Sequence, residues 1–449
     1  MNSTSKTFCI YPWIHQMVDT NGSIKLCCVA EDPTLANKYG EHKTEGQNMT
    51  VRNSSLSEAW NSEYMESVRE RMISGRQVKD CSQCYRREKQ GQYSFRQRAN
   101  DDWQQHVQQV TQYYDLYKQD YAEADQILQK RMSVTKHYVE LPVYLDIRFG
   151  NLCNLKCRMC TGLYSKKLGE ELNEISQQDE AFRQIAGDTA KVHDFDWYDD
   201  NFWNDLEKYL PRINLLYLTG GEPTLVEGNY NFLQGLIDKG YAKNISLVFN
   251  TNATNFQQRF LDTVSHFAHI TFNLSIDGIE GVQEYIRYPS KWKAIEKNMF
   301  TLMDKIKDSK HTQFNLVFTP TVNVLNVGSF DKLVNWAYHF ATNNNLPKVQ
   351  WNMEPIMLQG PQFQDMAWAN KNYKQFALHN LNSIDSNAYK TFKSLKQFVN
   401  KMKLTLLKIE DKLESKANNK QLHKWNTELD KHRGIDIKDY IEYSDMIYE

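Results

Sequence analysis

The sequence predicts an α/β protein built around a partial (β/α)6 barrel of the TIM type. From Val143 onward, strand-like segments alternate with helix-like segments, which is typical of repeated βα units around a parallel sheet. Six such strands are too few for a closed eight-stranded barrel. The predicted strands are Val143–Phe149, Ile213–Thr219, Ile245–Asn250, Ile270–Ile276, Phe314–Pro320 and Val349–Met353.

The segment Trp292–Lys307 justifies the helical half of this pattern. Its apolar residues recur at the spacing of one helix face, so we expect an amphipathic helix packed on the sheet. Those residues are Ile295, Met299, Leu302, Met303 and Ile306.

Three further regions surround the barrel, which we place at residues 141–360. Residues 1–95 form a cysteine-rich auxiliary domain, and residues 96–140 have the pattern of a helical connector. Residues 361–449 are predicted to be a helical extension, with an apolar stripe along the basic segment from Lys390 to Arg433. The stripe comprises Phe392, Leu395, Val399, Met402, Leu406, Ile409 and Leu413.

The composition excludes several classes of protein. A hydrophobic fraction of 41% with 24% charged residues is typical of a globular chain. The mean hydropathy is −0.68 and no long apolar run occurs, so we expect no membrane partner. The formal net charge of −1 gives no overall attraction for nucleic acid. Met1–Trp13 lacks the basic and apolar regions of a secretory signal, and we expect a cytoplasmic protein.

Eight cysteines fall in two groups and carry most of the chemical information. In a reducing compartment we expect metal ligands or nucleophiles rather than disulfides. The mid-chain group, Cys153, Cys157 and Cys160, directly follows the first predicted barrel strand. Three thiolates from one loop can hold three irons of a cubane cluster and leave the fourth iron open to a cofactor. A zinc site with a histidine as its fourth ligand is the structural alternative.

A second motif, Gly220-Gly221-Glu222-Pro223, follows the second predicted strand. Glycines let the backbone approach a ligand closely, and a carboxylate accepts hydrogen bonds from an ammonium group. With the C-x3-C-x2-C spacing of the mid-chain cysteines, this motif resembles the radical S-adenosylmethionine (radical SAM) superfamily, over roughly Val143–Pro361. The resemblance implies a 4Fe–4S cluster on those cysteines. It also implies that S-adenosylmethionine binds through the Gly-Gly-Glu-Pro element.

The next two strand ends carry further polar groups. Asn252 follows the third strand, and Ser275 and Asp277 follow the fourth. They resemble cofactor-binding elements of the same family, and the resemblance implies that Ser275 and Asp277 address the ribose. Turn chemistry explains each of them equally well when taken singly. Arg287 is a candidate partner of the cofactor carboxylate or a solvated surface residue. All these groups lie at the carboxyl ends of predicted strands, the face on which barrel active sites form.

The N-terminal cysteines belong to a wider pattern of Cys9, Pro12-Trp13, Gly22, Cys27-Cys28, Trp60-Asn61, Gly75 and Cys81-x2-Cys84. This pattern resembles the SPASM or twitch type of auxiliary iron–sulfur domain, which usually follows the barrel but here precedes it. Four thiolates complete a cluster, so one of the five is in excess. If Lys25–Cys28 is extended, Cys27 and Cys28 point to opposite faces and only one of them binds. The resemblance favours Cys28, together with Cys9, Cys81 and Cys84, and leaves Cys27 open. A zinc site made by the same thiolates also stays open.

The resemblance implies an oxidoreductase or maturase that reductively cleaves S-adenosylmethionine and abstracts hydrogen from a substrate with a 5′-deoxyadenosyl radical. A peptide or protein side chain is the first substrate class implied, and a sugar or other small molecule is the second. An electron donor such as flavodoxin or ferredoxin is also implied. No catalytic residue beyond the ligands is identified.

Two alternatives belong to other classes of protein. One is an iron–sulfur electron carrier or a zinc-stabilised binding module, which would not need the Gly-Gly-Glu-Pro element. The other is a nucleic-acid modifier that uses the basic face of Lys390–Arg433.

Overall fold

The computed structural model describes residues 6–30, 48–89, 94–102, 141–192, 197–309, 313–358, 360–407 and 413–448. These residues divide into two compact units. One lies within Met1–Phe149 and Asp194–Tyr217, and the other within Gly150–His193 and Leu218–Glu449. Most of the predicted connector at residues 96–140 lies outside the described residues. The predicted division into four regions stays a prediction.

The first unit contains four strands, which follow one another in the order β2–β1–β3–β4. They are β1 (His15–Val18), β2 (Ile24–Lys25), β3 (Tyr144–Ile147) and β4 (Leu215–Leu218). Strand β1 pairs antiparallel with β2 and parallel with β3. Sequence analysis predicts β3 and β4 but misses the other two. The reason is that β1 is buried along its whole length and β2 has two residues, so neither shows an alternating pattern.

The second unit contains four parallel strands in the order β5–β6–β7–β9. They are β5 (Ser246–Thr251), β6 (His269–Leu274), β7 (Gln313–Phe318) and β9 (Val349–Met353), and a separate parallel pair is formed by β8 (Thr321–Val322) and β10 (Ile356–Met357). All four long strands are predicted by the sequence. The predicted α/β class is confirmed: four of the six predicted strands of the partial (β/α)6 barrel lie in this unit, and β3 and β4 lie in the first.

Helices connect these strands and pack against them. Helix α11 (Trp292–Asp308) confirms the predicted amphipathic segment, because all five of its predicted apolar residues are buried. The described helices are α1 (Tyr11–Ile14), α2 (Leu56–Trp60), α3 (Glu63–Ile73), α4 (Ser82–Lys89), α5 (Lys166–Gln178), α6 (Glu180–Ala186), α7 (Asp200–Glu207), α8 (Glu227–Asp238), α9 (Gln258–Val264), α10 (Glu280–Ile286), α11 (Trp292–Asp308), α12 (Phe330–Asn343), α13 (Lys371–Asn382), α14 (Ala388–Thr391), α15 (Leu395–Leu407), α16 (Leu413–Arg433) and α17 (Ser444–Tyr448).

The C-terminal region is helical, as predicted, and its basic segment forms two helices, α15 and α16. The apolar stripe is buried from Phe392 to Leu406. The predicted stripe residue Ile409 and the side chain of Leu413 lie outside the described part of the chain. None of the described helices combines the length and the apolar character that crossing a bilayer requires.

Candidate cofactor and metal sites

The cysteine loop, residues 150–162, brings three free thiols together in the second unit. Cys153 and Cys157 are buried, and Cys160 is half-buried. Burial raises the pKa of all three thiols, and Cys157 is the next largest cause for both Cys153 and Cys160. The pKa of Cys160 rises to about 12. The three sulfur atoms therefore lie close enough for their charges to repel, which is the condition under which a bound metal stabilises the thiolate form.

Backbone hydrogen bonds hold this loop against the last residue of α10 and the segment that follows it. The Lys156 N–H donates to the Tyr288 carbonyl at 2.6 Å, and the Arg158 N–H donates to the Ile286 carbonyl at 2.9 Å. Ser165 Oγ donates to the Leu155 carbonyl at 2.8 Å. The positions of the cysteines are thus determined by main-chain contacts on both sides of Cys157.

The Gly220–Glu222 turn packs directly on the cysteine loop. Gly220 and Gly221 have φ of +84° and +53°, in the left-handed region that favours glycine. A Cβ atom on Gly221 would lie 2.3 Å from the Leu152 carbonyl oxygen. The Glu222 N–H donates to that same carbonyl at 2.9 Å. The two motifs predicted from sequence therefore meet through their backbones.

The carboxylate of Glu222 is buried and accepts four hydrogen bonds, three at Oε1 and one at Oε2. It accepts hydrogen bonds from Thr224 Oγ1 at 2.7 Å, the Thr224 N–H at 3.3 Å, Thr251 Oγ1 at 2.8 Å and the Asn252 N–H at 2.7 Å. Burial raises the pKa of Glu222, and these hydrogen bonds oppose the rise. The side chain thereby fastens the turn to the end of β5. Pro223 begins the short turn that follows.

Asn252 connects the end of β5 to the cysteine loop. Its Nδ2 donates to Asn154 Oδ1 at 3.0 Å and lies 4.0 Å from Cys153 Sγ. Asn154 in turn donates from Nδ2 to Thr254 Oγ1 at 2.8 Å. The predicted site residue Asn252 therefore lies beside Cys153, a candidate cluster ligand, and sequence analysis did not identify its partner Asn154.

Ser275 and Asp277 follow β6 but differ in their surroundings. Ser275 is half-buried, whereas Asp277 is 1% exposed. The Asp277 carboxylate accepts hydrogen bonds from Arg287 at 2.7 and 3.1 Å and from the Thr321 N–H at 2.7 Å. Arg287 Nη1 also lies 3.9 Å from Cys157 Sγ. Arg287 is therefore not a solvated surface residue, because it links Asp277 to a candidate cluster ligand.

In the first unit, the five N-terminal cysteines line one cavity together with Tyr11, Phe95 and Arg96. All five thiols are free; Cys9 and Cys84 are buried, Cys27 and Cys81 are half-buried, and Cys28 is exposed. Strand β2 ends at Lys25, so the extended geometry that would send Cys27 and Cys28 to opposite faces stops before them.

Electrostatic surroundings nevertheless separate these two neighbours. Burial raises the pKa of Cys27, and the charges of Cys28, Cys81 and Cys9 raise it further. Cys28 is exposed as a residue, but desolvation by the groups around its sulfur raises its pKa to about 11. Among the charged groups around it, Arg148 has the largest effect and lowers the pKa. Cys27 therefore shares the surroundings of Cys9 and Cys81, whereas Cys28 faces charged side chains.

Arg96 places positive charge beside the same cavity. Its guanidinium donates to Glu88 at 2.6 Å and to the Phe8 carbonyl at 2.5 Å. Its backbone N–H donates to Cys84, and its charge opposes the effect of burial on the pKa of Cys9 and Cys84. The cavity thus combines thiols with an N–H donor and a cation, which is typical of an iron–sulfur site.

The donor sets of both sites fit iron–sulfur clusters. Three thiols in the cysteine loop match a cubane with one iron that lacks a protein ligand, and the N-terminal group offers enough thiols to complete a cluster. Within the described ranges, no three His, Cys, Asp or Glu side chains converge closely enough to hold a single ion. The fit rests on the type and number of sulfur donors and on the burial of both groups.

Comparisons with known proteins agree with this donor chemistry. Residues 147–336 match the model of the radical SAM superfamily, and residues 9–85 match the model of SPASM, an iron–sulfur cluster-binding domain. No curated protein matches the chain.

Solved structures give remote similarities. One is native anSMEcpe with bound AdoMet, at 16% identity and a TM-score of 0.32, covering 56% of this chain and 60% of that one. Another is Streptococcus suis SuiB bound to the precursor peptide SuiA, at 14% identity and a TM-score of 0.32, covering 62% of this chain and 52% of that one. The alignments thus span between about half and three fifths of the other chains.

The two family models match the two segments that contain the two cysteine groups. Residues 147–336 are therefore a radical SAM domain, and residues 9–85 are an SPASM iron–sulfur cluster-binding domain that precedes it.

Proposed function

We propose that the chain is an enzyme that abstracts hydrogen from a substrate after reductive cleavage of S-adenosylmethionine. Superfamily membership implies a 4Fe–4S cluster and S-adenosylmethionine, and the SPASM domain implies a further iron–sulfur cluster. When bound, the 4Fe–4S cluster supplies the electron that splits S-adenosylmethionine into methionine and a 5′-deoxyadenosyl radical. The observation that carries the proposal is the backbone packing of the Gly220–Glu222 turn on the cysteine loop.

Cys153, Cys157 and Cys160 are the proposed ligands of the 4Fe–4S cluster. The hydrogen bonds of Lys156 and Arg158 to the segment after α10 and to the last residue of α10 hold the loop that carries these cysteines. Burial of Cys153 and Cys157 keeps water away from the sulfur atoms. This chain therefore supplies a set of three ligands, of which two are buried and Cys160 is half-buried.

The turn residues Gly220, Gly221, Glu222 and Pro223 are the proposed site for the amino end of the cofactor. Three donors occupy Oε1 of Glu222 and one donor occupies Oε2, so Oε2 can still accept a hydrogen bond from the cofactor. We assign the close approach to the backbone of the two glycines, whose position Glu222 fixes. Asn252 lies beside Cys153 and is a further proposed contact. Ser275 and Asp277 are the proposed ribose contacts.

For the auxiliary cluster we propose Cys9, Cys27, Cys81 and Cys84 as ligands, with Cys27 in place of Cys28. The charges of Cys81 and Cys9 act on Cys27, whereas Cys28 is exposed. This cluster would accept or relay an electron from the substrate radical, or orient the substrate.

As substrate we propose a peptide or protein side chain, which would make the enzyme an oxidoreductase or maturase. We propose a cytoplasmic location separately. Its electron donor would be a flavodoxin or a ferredoxin. This substrate class is the first one that the resemblance of the N-terminal cysteine pattern to SPASM domains implies. Oxidation or rearrangement of a sugar or another small molecule is the alternative.

Reduced, reconstituted protein should convert S-adenosylmethionine to 5′-deoxyadenosine, measured by chromatography. The triple variant Cys153→Ala/Cys157→Ala/Cys160→Ala should form none, and its iron content should fall by the amount of one cluster. Release by the triple variant would contradict the ligand assignment. A wild-type protein with an intact cluster but no product would be an iron–sulfur electron carrier instead.

Gly221→Ala should impair cofactor binding because the new Cβ would meet the Leu152 carbonyl at 2.3 Å. We expect the Kd for S-adenosylmethionine to rise at least about tenfold, which corresponds to about 1.4 kcal/mol. Isothermal titration of the reconstituted protein measures this change. Gly240→Ala is the matched control, because Gly240 also has a positive φ, +76°, but open space around its Cβ position. Equal effects of the two substitutions would refute the proposed contact.

Cys27→Ala should remove the auxiliary cluster, whereas Cys28→Ala should retain it, because Cys27 shares the electrostatic surroundings of Cys9 and Cys81. Iron and sulfide counts per chain measure the difference, and the cluster in the cysteine loop serves as the internal reference. Loss of iron in Cys28→Ala alone would assign the fourth ligand to Cys28.

The substrate class can be tested through the hydrogen that the enzyme abstracts. Deuterated peptides from a cell extract should transfer deuterium to 5′-deoxyadenosine, measured by mass spectrometry, because the abstracted atom ends on the 5′ carbon. Deuterated small molecules from the same extract should transfer none. The reverse outcome would favour the small-molecule alternative.

A further inference from the structure

Two arginines from distant parts of the sequence converge on Cys157, the middle cysteine of the loop. Arg287, at the end of α10, places Nη1 3.9 Å from Cys157 Sγ. Arg433, the last residue of α16, donates from Nη2 to the carbonyl of Lys156 at 2.8 Å, one residue before Cys157. Burial raises the pKa of Cys157, and the charges of Arg287 and Arg433 both oppose that rise.

A buried acid orients each of these arginines. Asp277 binds Arg287 through two hydrogen bonds, and their side chains are 0% and 11% exposed. Glu171 accepts from Arg433 Nε at 3.1 Å and from Nη2 at 2.7 Å, and these side chains are 2% and 0% exposed. Each guanidinium is therefore fixed in position by its own carboxylate. A buried charge needs such a paired, hydrogen-bonded partner.

Helix α16 also grips the cysteine loop at Arg158. The Arg158 guanidinium is fully buried, stacks 3.6 Å from the centroid of the Tyr285 ring and donates to Asn426 at 3.0 Å. It also pairs with Asp430, which accepts a hydrogen bond from Tyr285 at 3.0 Å. The helix thus contacts the loop on both sides of Cys157, and its last turn supplies positive charge there.

Reduction of an iron–sulfur cluster adds one electron and hence one negative charge. Nearby cations and N–H donors to the sulfur atoms stabilise that charge, and they do so most strongly where water is excluded. We propose that Arg287 and Arg433 raise the reduction potential of the cluster on Cys153, Cys157 and Cys160, and that Asp277 and Glu171 position them. Helix α16 is then part of the cluster site. This inference rests on the proposed function only in requiring a cluster on these three cysteines.

The test is a redox titration of each reconstituted full-length variant with dithionite, followed by electron paramagnetic resonance, without S-adenosylmethionine. Arg287→Gln should lower the midpoint potential of this cluster, because it removes a positive charge. Asp277→Asn should raise it, because it removes the compensating negative charge and keeps the arginine. Arg433→Gln and Glu171→Gln should give the same pair of opposite shifts. A merely structural role would not produce opposite signs from two partners of one ion pair.

Arg287→Lys should give a midpoint potential between those of Arg287→Gln and the wild type. Lysine keeps the positive charge but cannot donate the two parallel hydrogen bonds that Arg287 makes to Asp277. Lys424→Met is the matched control on α16, because Lys424 pairs with Asp179 and Glu428, and both of these partners lie outside the cysteine loop. It should leave the potential unchanged.

Unchanged potentials, or shifts of the same sign within a pair, would overturn this inference. They would not contradict the proposed cleavage of S-adenosylmethionine. If an arginine variant fails to fold, the nearly isosteric Asp277→Asn and Glu171→Gln variants decide the sign. A wild-type chain that assembles no cluster on the three cysteines would overturn the proposed function together with this inference.

Discussion

The candidate active site depends on a close approach of two backbones. The Leu152 carbonyl of the cysteine loop accepts the Glu222 N–H, and the space beside it is too small for any side chain on Gly221. A glycine at this position removes both the clash and the cost of a positive φ. The buried carboxylate of Glu222 then fastens this turn to β5. The relative position of the cysteines and the proposed cofactor turn follows from these contacts.

Burial of the thiols creates an electrostatic problem that each unit resolves with fixed cations. Removing a thiolate from water is unfavourable, so burial raises the pKa of Cys157 in one unit and of Cys9 in the other. Arg287 opposes this effect at Cys157, and Arg96 opposes it at Cys9. Each arginine is in turn paired with a carboxylate. The cations can therefore remain buried at a defined distance from sulfur.

Helix α16 illustrates how a region that looks peripheral in the sequence becomes part of a site. Its basic composition suggests a solvated surface, but Arg433 is buried against Glu171, and Asp430 binds the buried Arg158 of the cysteine loop. Removing one partner of such a buried ion pair lowers the stability of the fold, because the other partner is left as an uncompensated buried charge. The contacts therefore join the helix firmly to the loop.

The sequence by itself determined the α/β class, the six barrel strands, the apolar face of α11 and the two cysteine groups. These features are local, because hydrophobic periodicity and the spacing of the cysteines depend on residues that are close together in the sequence. Only the tertiary structure decided that Asp277 pairs with Arg287, that Asn154 joins Asn252, and that Cys27 and Cys28 have different neighbours. It also decided that Arg433 reaches Lys156, 277 positions away. Such contacts depend on which elements pack against each other in the folded chain. A local pattern of residue types does not predict this packing.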